Sequence, residues 1–287
     1  MANFDQTKAY APQEADVFHD DGREIGLLHF VYSRPDIDQL RGSPAKVLAA
    51  IDDYARTKRY LMNVGQDKGA IVSRLIASAR PRLVVELGGY VGYSAILLGS
   101  ALRSCGGQRY LSLERNPEFA AVASSLVHLA GLGAVVDVVV GATADSLRRL
   151  HAERRLGRID LLFLDHYKPA YLPDLKLCEQ LGLIGPGSVL AADNVIKPGN
   201  PPYLEYVRGS VEAKHKGALA HAATAGFDDK CLRQYEKREG VEALNGEIRG
   251  DPNLVYVSEL VPSFEPTGVP DGIEITRCIG TEASLAT

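Results

Sequence analysis

Short apolar runs alternate with helix-like stretches between residues 81 and 193. The runs recur at intervals of roughly 25 to 30 residues, and the stretches between them space their apolar residues three and four apart. Near-continuous apolar strands that alternate with helices are typical of a parallel sheet covered on both faces. The alternation therefore predicts an α/β fold with an open, doubly wound, mostly parallel sheet. The runs are RLVVEL (82–87), RYLSLE (109–114), VVDVVVG (135–141), IDLLFLD (159–165) and SVLAAD (188–193).

The segments outside this alternation complete the predicted fold. Apolar periodicity predicts a helix at 45–58 and a second helix from about residue 67 to just before Pro81. Strand patterns return at 254–260 and 272–279, and they predict late antiparallel strands at the sheet edge. We therefore expect about seven strands in a Rossmann-like sheet with helices on both faces.

Composition limits the classes of partner. The chain has a net charge of -4 and no run of Lys and Arg with interleaved aromatics, so nucleic acid is not an expected partner. The sequence contains no stretch of about 18 apolar residues, so we expect no membrane span. The acidic N-terminus lacks the pattern of a signal peptide. We expect a cytoplasmic protein, monomeric or weakly dimeric, that binds small molecules. Residues 211–252 differ from the rest of the chain, because 15 of these 42 residues are charged. This content favours a solvated insertion or a mobile lid over core, and a role in dimer contacts is an alternative.

A glycine-containing turn follows the first predicted strand. In VVELGGYVGYS (84–94), Glu86, Gly88 and Gly92 lie where the strand meets the next helix. Glycine lets the backbone approach a ligand, and the helix N-terminus offers N–H groups. The spacing is Glu-x-Gly-x-x-x-Gly and not Gly-x-Gly-x-x-Gly, which weakens a dinucleotide interpretation.

Glu114 lies at the end of the next predicted strand, where an acid can accept both hydrogen bonds of a ribose diol. Turn and acid together indicate a nucleoside ligand without a diphosphate, for which S-adenosylmethionine is the candidate. The alternative is that the glycines only turn the chain and that Glu114 is solvated.

Polar side chains follow two later strands. Asp165 ends LLFLD, and Asp193 and Asn194 follow VLAA. Because ligands bind outside the carboxyl ends of parallel strands, these oxygens are expected to converge, and they suit Mg²⁺. The alternative is that an acid at a strand end caps a helix. Two acids and an amide on neighbouring strands favour the metal, because like charges repel unless a cation joins them.

His166 and Lys168 extend the first of these strand ends. His166 alone is more typical of a buried, hydrogen-bonded histidine, and Lys168 alone of a solvated lysine. A divalent cation nearby would disfavour the ammonium form of Lys168, and its neutral amine is a competent general base.

These stretches resemble one known family, the small Mg²⁺-dependent catechol O-methyltransferases, which are class I S-adenosylmethionine-dependent methyltransferases. The resemblance covers roughly residues 22–210 and resumes near VPSFE and DGIE. It implies transfer of a methyl group from S-adenosylmethionine to one hydroxyl of a Mg²⁺-chelated catechol. The stretches that carry it are YLMNVGQDKG (60–69), VVELGGYVGYSA (84–95), LERNPEFAA (113–121), VVVGA (138–142), FLDHYKPAYLPD (163–174) and LAADNVIKPG (190–199).

The resemblance also implies a role for each matching residue. The metal ligands are Asp165, Asp193 and Asn194, and the catalytic residues are Lys168 as the base and Glu265 on the second hydroxyl. The methyl donor is bound by Met62, Asn63, Val64, Glu86, Gly88, Tyr90, Ser94, Glu114, Ala142, Asp165 and His166. The substrate is bound by Tyr60, Met62, Tyr167, Lys168, Asn194, Pro198 and Glu265. The chain departs from the family in having no tryptophan, with tyrosines at 60 and 167, and in placing Ala144 where familiar members carry a glutamine.

Two alternatives keep the fold and change the function: a nicotinamide-dependent oxidoreductase and a non-catalytic protein that binds S-adenosylmethionine. The missing third glycine and the Asp, Asp and Asn set argue against the first, and the retained Lys168 argues against the second. The predicted single domain, 1–287, contains N-terminal helices that cap the site (1–80), a nucleotide- and metal-binding core (81–210), the insertion (211–252) and C-terminal edge strands (253–280).

Overall fold

The computed structural model describes residues 3–217 and 248–285. Most of the insertion predicted at 211–252 therefore lies outside the described residues. The strands are β1 (Leu83–Leu87), β2 (Arg109–Glu114), β3 (Val136–Val140), β4 (Leu161–Leu164), β5 (Val189–Ala192), β6 (Leu254–Phe264) and β7 (Pro270–Thr281). The helices are α1 (Arg23–Tyr32), α2 (Ile37–Leu40), α3 (Pro44–Thr57), α4 (Gly65–Ala79), α5 (Tyr93–Ser104), α6 (Pro117–Leu129), α7 (Thr143–Ala152), α8 (Tyr171–Gln180), α9 (Pro201–Arg208), α10 (Val211–Gly217) and α11 (Glu282–Leu285).

The seven strands form one sheet in the order β3-β2-β1-β4-β5-β7-β6. β5 pairs with β7 in the antiparallel sense, whereas β1 with β2, β2 with β3 and β4 with β5 pair in the parallel sense. The predicted seven-stranded, mostly parallel sheet with late antiparallel strands is confirmed. β6 continues past the predicted Leu260 to Phe264 and includes Pro262. Proline is tolerated there because β6 lies at the end of the strand order, where one side of the strand needs no ladder partner.

The described residues fall into two compact units, one of 3–142 with 262–270, and one of 143–217 with 248–261 and 271–285. The expectation of a single domain stays a prediction. In the first unit, β1, β2 and β3 are parallel and in register, with Leu87 opposite Leu113 and Glu114 opposite Val140. Their carboxyl ends therefore lie side by side.

In the second unit, β4 and β5 are parallel, and Leu164 lies opposite Ala192. All four residues of each strand are buried. Asp165 and Asp193 follow the last pair directly, and the Asp193 N–H donates to the Leu164 carbonyl at 2.9 Å. The register therefore places the two predicted metal ligands next to each other.

Local signals explain the helix boundaries. The Asn116 side chain accepts hydrogen bonds from the Glu118 and Phe119 N–H groups, and Pro117 occupies the first position of α6. α4 ends at Ala79, as the following Pro81 predicts.

The sequence did not reveal α1. Its first two residues, Arg23 and Glu24, are polar and yet buried, which obscures the apolar periodicity. Lys214 on α10 also departs from the expectation of a solvated insertion, since it is only 3% exposed.

Candidate functional site

The glycine turn and Glu114 form one structure in the first unit. Glu114 Oε2 accepts hydrogen bonds from the Gly89 and Tyr90 N–H groups at 3.1 and 2.7 Å. Gly88 and Gly92 have φ of +91° and +85°, a conformation that glycine adopts without strain. The predicted convergence of turn and acid at the ends of β1 and β2 is therefore present.

Close approach explains the neighbouring glycine. A Cβ on Gly89 would lie 2.3 Å from Ser112 Oγ. Ser112 donates to Oε2 of the fully buried Glu86 at 2.5 Å, which ties β2 to β1 beneath the turn. A larger residue at 89 would displace this bond.

Tyr90 connects the turn to α1. Its hydroxyl donates to Glu24 Oε1 at 2.7 Å, and its ring meets Phe119 edge-on at 5.1 Å. Burial, together with the nearby charge of Glu24, raises the pKa of Tyr90 well above its ordinary value. The hydroxyl therefore stays protonated and remains a donor.

The stretch from Tyr60 to Lys68 lies at the start of α4. The buried Arg23 donates to the Tyr60 carbonyl at 2.7 Å, which fixes the entry to this stretch. Lys68 Nζ lies 2.7 Å from Glu265 Oε1. The Lys68 side chain is 0% exposed and the Glu265 side chain is 18% exposed, so a buried lysine holds a partly exposed carboxylate in place. Gly65 packs against Pro266, since a Cβ there would lie 2.6 Å from the proline ring.

In the second unit, Asp165, Lys168, Tyr171, Asp193 and Asn194 form what we call the strand-end cluster. Lys168 is buried, and its Nζ donates to Asp165 Oδ1 at 3.0 Å and to the Tyr171 hydroxyl at 2.8 Å. The Tyr171 hydroxyl donates in turn to the Asp193 carbonyl at 3.2 Å. Hydrogen bonds thus connect the end of β4 to the end of β5 through the predicted base.

His166 lies against the same tyrosine. Its ring stacks on Tyr171 at 4.9 Å, and Nε2 lies 2.9 Å from Asp174 Oδ2. Nδ1 is buried and has no hydrogen-bond partner among the residues that the structure describes. An orphaned ring nitrogen of this kind is a candidate contact for a polar ligand.

Asn194 begins the segment that carries Pro198. Its φ of 57° is left-handed, a conformation that asparagine tolerates better than most residues. Its N–H donates to Asp193 Oδ1 at 2.8 Å. Its amide nitrogen donates to Asp271 Oδ2 at 3.1 Å and to the Lys197 carbonyl at 3.2 Å. Pro198 is exposed.

The strand-end cluster fits a hard cation by its chemistry. Asp165 and Asp193 are carboxylates in adjacent register positions, and the adjoining Asn194 offers an amide oxygen. Oxygen ligands of this kind suit Mg²⁺. Within 3–217 and 248–285, no group of three or more His, Cys, Asp and Glu side chains could hold a metal ion. The predicted ligand set contains only two such side chains, Asp165 and Asp193, and its third ligand is the amide of Asn194.

Several residues that contact predicted site residues were not predicted from the sequence, among them Tyr171, Lys68 and Asp271. Tyr171 lies three positions after Lys168, a helical spacing that could have suggested the contact. Lys68 lies in YLMNVGQDKG and Asp271 in DGIE, and the resemblance implied no role for either residue. Both Lys68 and Asp271 contact residues more than 70 positions away, which no local pattern shows.

Comparison with known proteins identifies the family. Residues 46–207 match the profile described as O-methyltransferase, which is more than half of the chain. The chain belongs to the O-methyltransferase family. Catechol O-methyltransferase of Bos taurus is 46% identical over 169 residues, or 59% of this chain and 61% of the bovine protein. The protein named transmembrane O-methyltransferase of Homo sapiens is 36% identical over 189 residues, or 66% of this chain and 64% of the human protein.

The chain spans less than two thirds of the length of these curated relatives. Two solved structures share its fold. The O-methyltransferase from Bacillus cereus in complex with SAH has a TM-score of 0.52 at 20% identity and covers 85% of this chain and 91% of its own. TomG from Streptomyces achromogenes in complex with SAM has a TM-score of 0.52 at 23% identity and covers 83% of this chain and 89% of its own. No described helix has both the length and the apolar character that a bilayer crossing requires.

Proposed function

We propose that the chain transfers a methyl group from S-adenosylmethionine to one hydroxyl of a catechol that is held by Mg²⁺. The observation that carries this proposal is the strand-end cluster, in which a buried lysine contacts an acid at the end of β4 and, through Tyr171, the end of β5. The names of the bovine and human relatives support methyl transfer to oxygen, and the bovine name supports a catechol. No observation favours the nicotinamide alternative.

The metal would be held by Asp165, Asp193 and Asn194. Mg²⁺ bound at these oxygens would lower the pKa of a coordinated hydroxyl. Lys168 would act as a neutral amine that accepts the hydroxyl proton: the O–H bond breaks and an N–H bond forms. Asp165 and the Tyr171 hydroxyl lie at 3.0 and 2.8 Å from Nζ, so they would stabilise the ammonium that results.

The methyl donor would be held by the first unit. Glu114 and the 88–90 turn would bind the ribose, and Met62, Asn63, Val64, Glu86, Ser94 and Ala142 would line the rest of the donor site. Asp165 and His166 are further proposed contacts of the donor. S-Adenosylmethionine, when bound, would supply an electrophilic methyl group for the substrate oxygen and would leave as the thioether S-adenosylhomocysteine. The role of these residues is to hold oxygen, carbon and sulfur in line and dry.

The substrate ring would be bordered by Tyr60, Met62, Tyr167 and Pro198. Glu265 would accept a hydrogen bond from the second hydroxyl. Its ion pair with the buried Lys68 supports this role, because it fixes a carboxylate that keeps part of its surface exposed. A cytoplasmic location and a monomeric or weakly dimeric state stay predictions.

The test is methyl transfer to a matched pair of acceptors, catechol and phenol, with Mg²⁺ and with a chelator. We expect methylation of catechol only when Mg²⁺ is present and little methylation of phenol, which cannot chelate. Equal rates with the chelator would refute the metal role. Tight binding of S-adenosylmethionine without methylation of any catechol in a wider panel would favour the non-catalytic alternative.

A further inference from the structure

We propose that Asp271 is a positioning residue that sets the orientation of the Asn194 amide and thereby presents its oxygen to the metal. The inference rests on the proposed function and deepens its metal site. Asp271 lies at the start of β7, is 1% exposed and is separated from Asn194 by 77 positions in sequence.

The side-chain oxygens of Asp271 accept hydrogen bonds from the Asn194 side chain and from the backbone. Oδ2 accepts the hydrogen bond from the Asn194 amide nitrogen at 3.1 Å. Oδ1 accepts from the backbone N–H groups of Ile196 and Lys197 at 3.1 and 3.0 Å. One buried carboxylate therefore fixes both a predicted metal ligand and the backbone that leads to Pro198.

These bonds determine which way the amide faces. The Asn194 amide nitrogen, which carries two hydrogens, donates both to Asp271 Oδ2 and to the Lys197 carbonyl. A flipped amide would place its oxygen against two acceptors. The amide oxygen is therefore kept on the opposite side from Asp271, and the N–H of the same residue is tied to Asp193 Oδ1 at 2.8 Å.

A carboxylate suits this role because the Asn194 amide nitrogen and the Ile196 and Lys197 N–H groups are all donors. An asparagine at 271 would supply one acceptor oxygen and one donor nitrogen. If its oxygen kept the two backbone bonds, its nitrogen would face the nitrogen of Asn194, and the Asn194 amide would turn or move. Asp271→Asn should therefore disturb the orientation of the Asn194 amide while nearly preserving the side-chain volume at position 271.

The chain offers a matched control three residues further along the same strand. Glu274 is fully buried, and its oxygens accept from Arg208 Nε and Nη2 at 2.7 Å each. Glu274→Gln also removes one buried negative charge from β7, but it touches none of the groups that Asp271 holds. It separates a general loss of stability from a loss of ligand orientation.

The experiment measures Mn²⁺ binding by electron paramagnetic resonance on the full chain without methyl donor or substrate, with Mg²⁺ as competitor. We expect Asp271→Asn to weaken Mn²⁺ binding about 10- to 100-fold, the usual effect of losing an outer-shell partner. Glu274→Gln should stay within about twofold of wild type, and S-adenosylmethionine affinity should be unchanged in both. Saturating Mg²⁺ should restore most of the turnover of Asp271→Asn.

A reciprocal exchange keeps the idea testable if Asp271→Asn folds poorly. In the double variant Asn194→Asp, Asp271→Asn, a carboxylate again faces an amide. The double variant should bind Mn²⁺ at least about threefold more tightly than the two single effects combined predict.

Wild-type Mn²⁺ affinity in Asp271→Asn would overturn the inference and leave the proposed function standing. An equal loss in Glu274→Gln, or no coupling in the exchange, would also overturn it. Wild-type protein that methylates catechol yet binds no Mn²⁺ would instead refute the metal role in the proposed function, and the inference with it.

Discussion

The second unit buries charge at both ends of α8, and the two sites differ in construction. At the start of the helix, Tyr171 belongs to the strand-end cluster. Near its end, Glu179 accepts hydrogen bonds from the Tyr206 and Tyr256 hydroxyls at 2.7 and 2.5 Å and from the Asp251 N–H at 2.9 Å. Lys214 Nζ lies 4.0 Å from the centre of the Tyr256 ring and donates to the Leu254 carbonyl at 2.7 Å. We call Glu179, Tyr206, Lys214 and Tyr256 the Glu179 cluster.

The Glu179 cluster is enclosed by aromatic rings, whereas the strand-end cluster lies where two parallel strands end. Burial raises the pKa of Glu179 and lowers the pKa of Lys214 to about 8, so enclosure disfavours the charged form of each. Lys214 precedes and Asp251 follows the residues outside the described ranges, and contacts with the Glu179 cluster connect both of them to α8. Buried charge alone therefore does not distinguish the proposed active site from the Glu179 cluster, whereas the position at two strand ends and the proposed set of oxygen ligands do.

The largest expected effect comes from Asp165→Ala. Loss of a carboxylate from the metal set should lower Mg²⁺-dependent methylation of catechol by about 10³-fold or more, since a metal supplies several kcal/mol of transition-state stabilisation. Initial rates over a Mg²⁺ titration measure it, with the melting temperature as a check on folding. The control Asp145→Ala removes an exposed acid and should leave the rate within about twofold. An active Asp165→Ala would exclude Asp165 as a required ligand.

Lys168→Met tests the base within the same cluster. Turnover should fall by about 10² to 10⁴-fold, the usual contribution of a general base, with little change in affinity for S-adenosylmethionine. Single-turnover rates and equilibrium binding of the methyl donor separate the two quantities. The control is Lys216→Met on α10, where the lysine pairs with Glu212 on the surface. Normal turnover in Lys168→Met would show that another group takes the proton.

Glu179→Gln tests the opposite side of the comparison. The substitution places a donor nitrogen among three donors, so it should reduce the free energy of unfolding by about 1 to 3 kcal/mol. Turnover below the melting transition should stay near wild type. Urea denaturation and initial rates measure the two effects. A large loss of turnover in a folded variant would contradict the division between the clusters.

Lys214→Met should have the smallest effect and should appear as a change in pH dependence. The folded-state pKa of about 8 lies below the ordinary value of 10.5, so between these values the unfolded chain binds more protons at this group. The group therefore makes the free energy of unfolding increase with pH in this window, by at most about 1.4 kcal/mol per pH unit. Lys214→Met should lose that contribution when unfolding is measured from pH 8 to 9.5. Equal slopes in variant and wild type would show that Lys214 titrates normally.

The sequence predicted the sheet and the acids at its strand ends because both follow from local pattern. Apolar runs placed β1 to β5, and register then brought Asp165 beside Asp193. The supporting contacts were not predictable, since Asp271 and Asn194 are 77 positions apart and Lys68 and Glu265 are 197 apart. The Glu179 cluster was also missed, because Lys214 lies in a charge-rich stretch that composition assigns to solvent and only tertiary packing encloses it.

The most direct test of the central claim is to locate the ion. Crystals grown with Mn²⁺, S-adenosylmethionine and a catechol that cannot be methylated would show the ion by anomalous diffraction. The account predicts one peak within about 2.5 Å of carboxylate oxygens from Asp165 and Asp193 and of the amide oxygen of Asn194. A peak at another site, or none at the ends of β4 and β5 in crystals that contain the catechol, would contradict it.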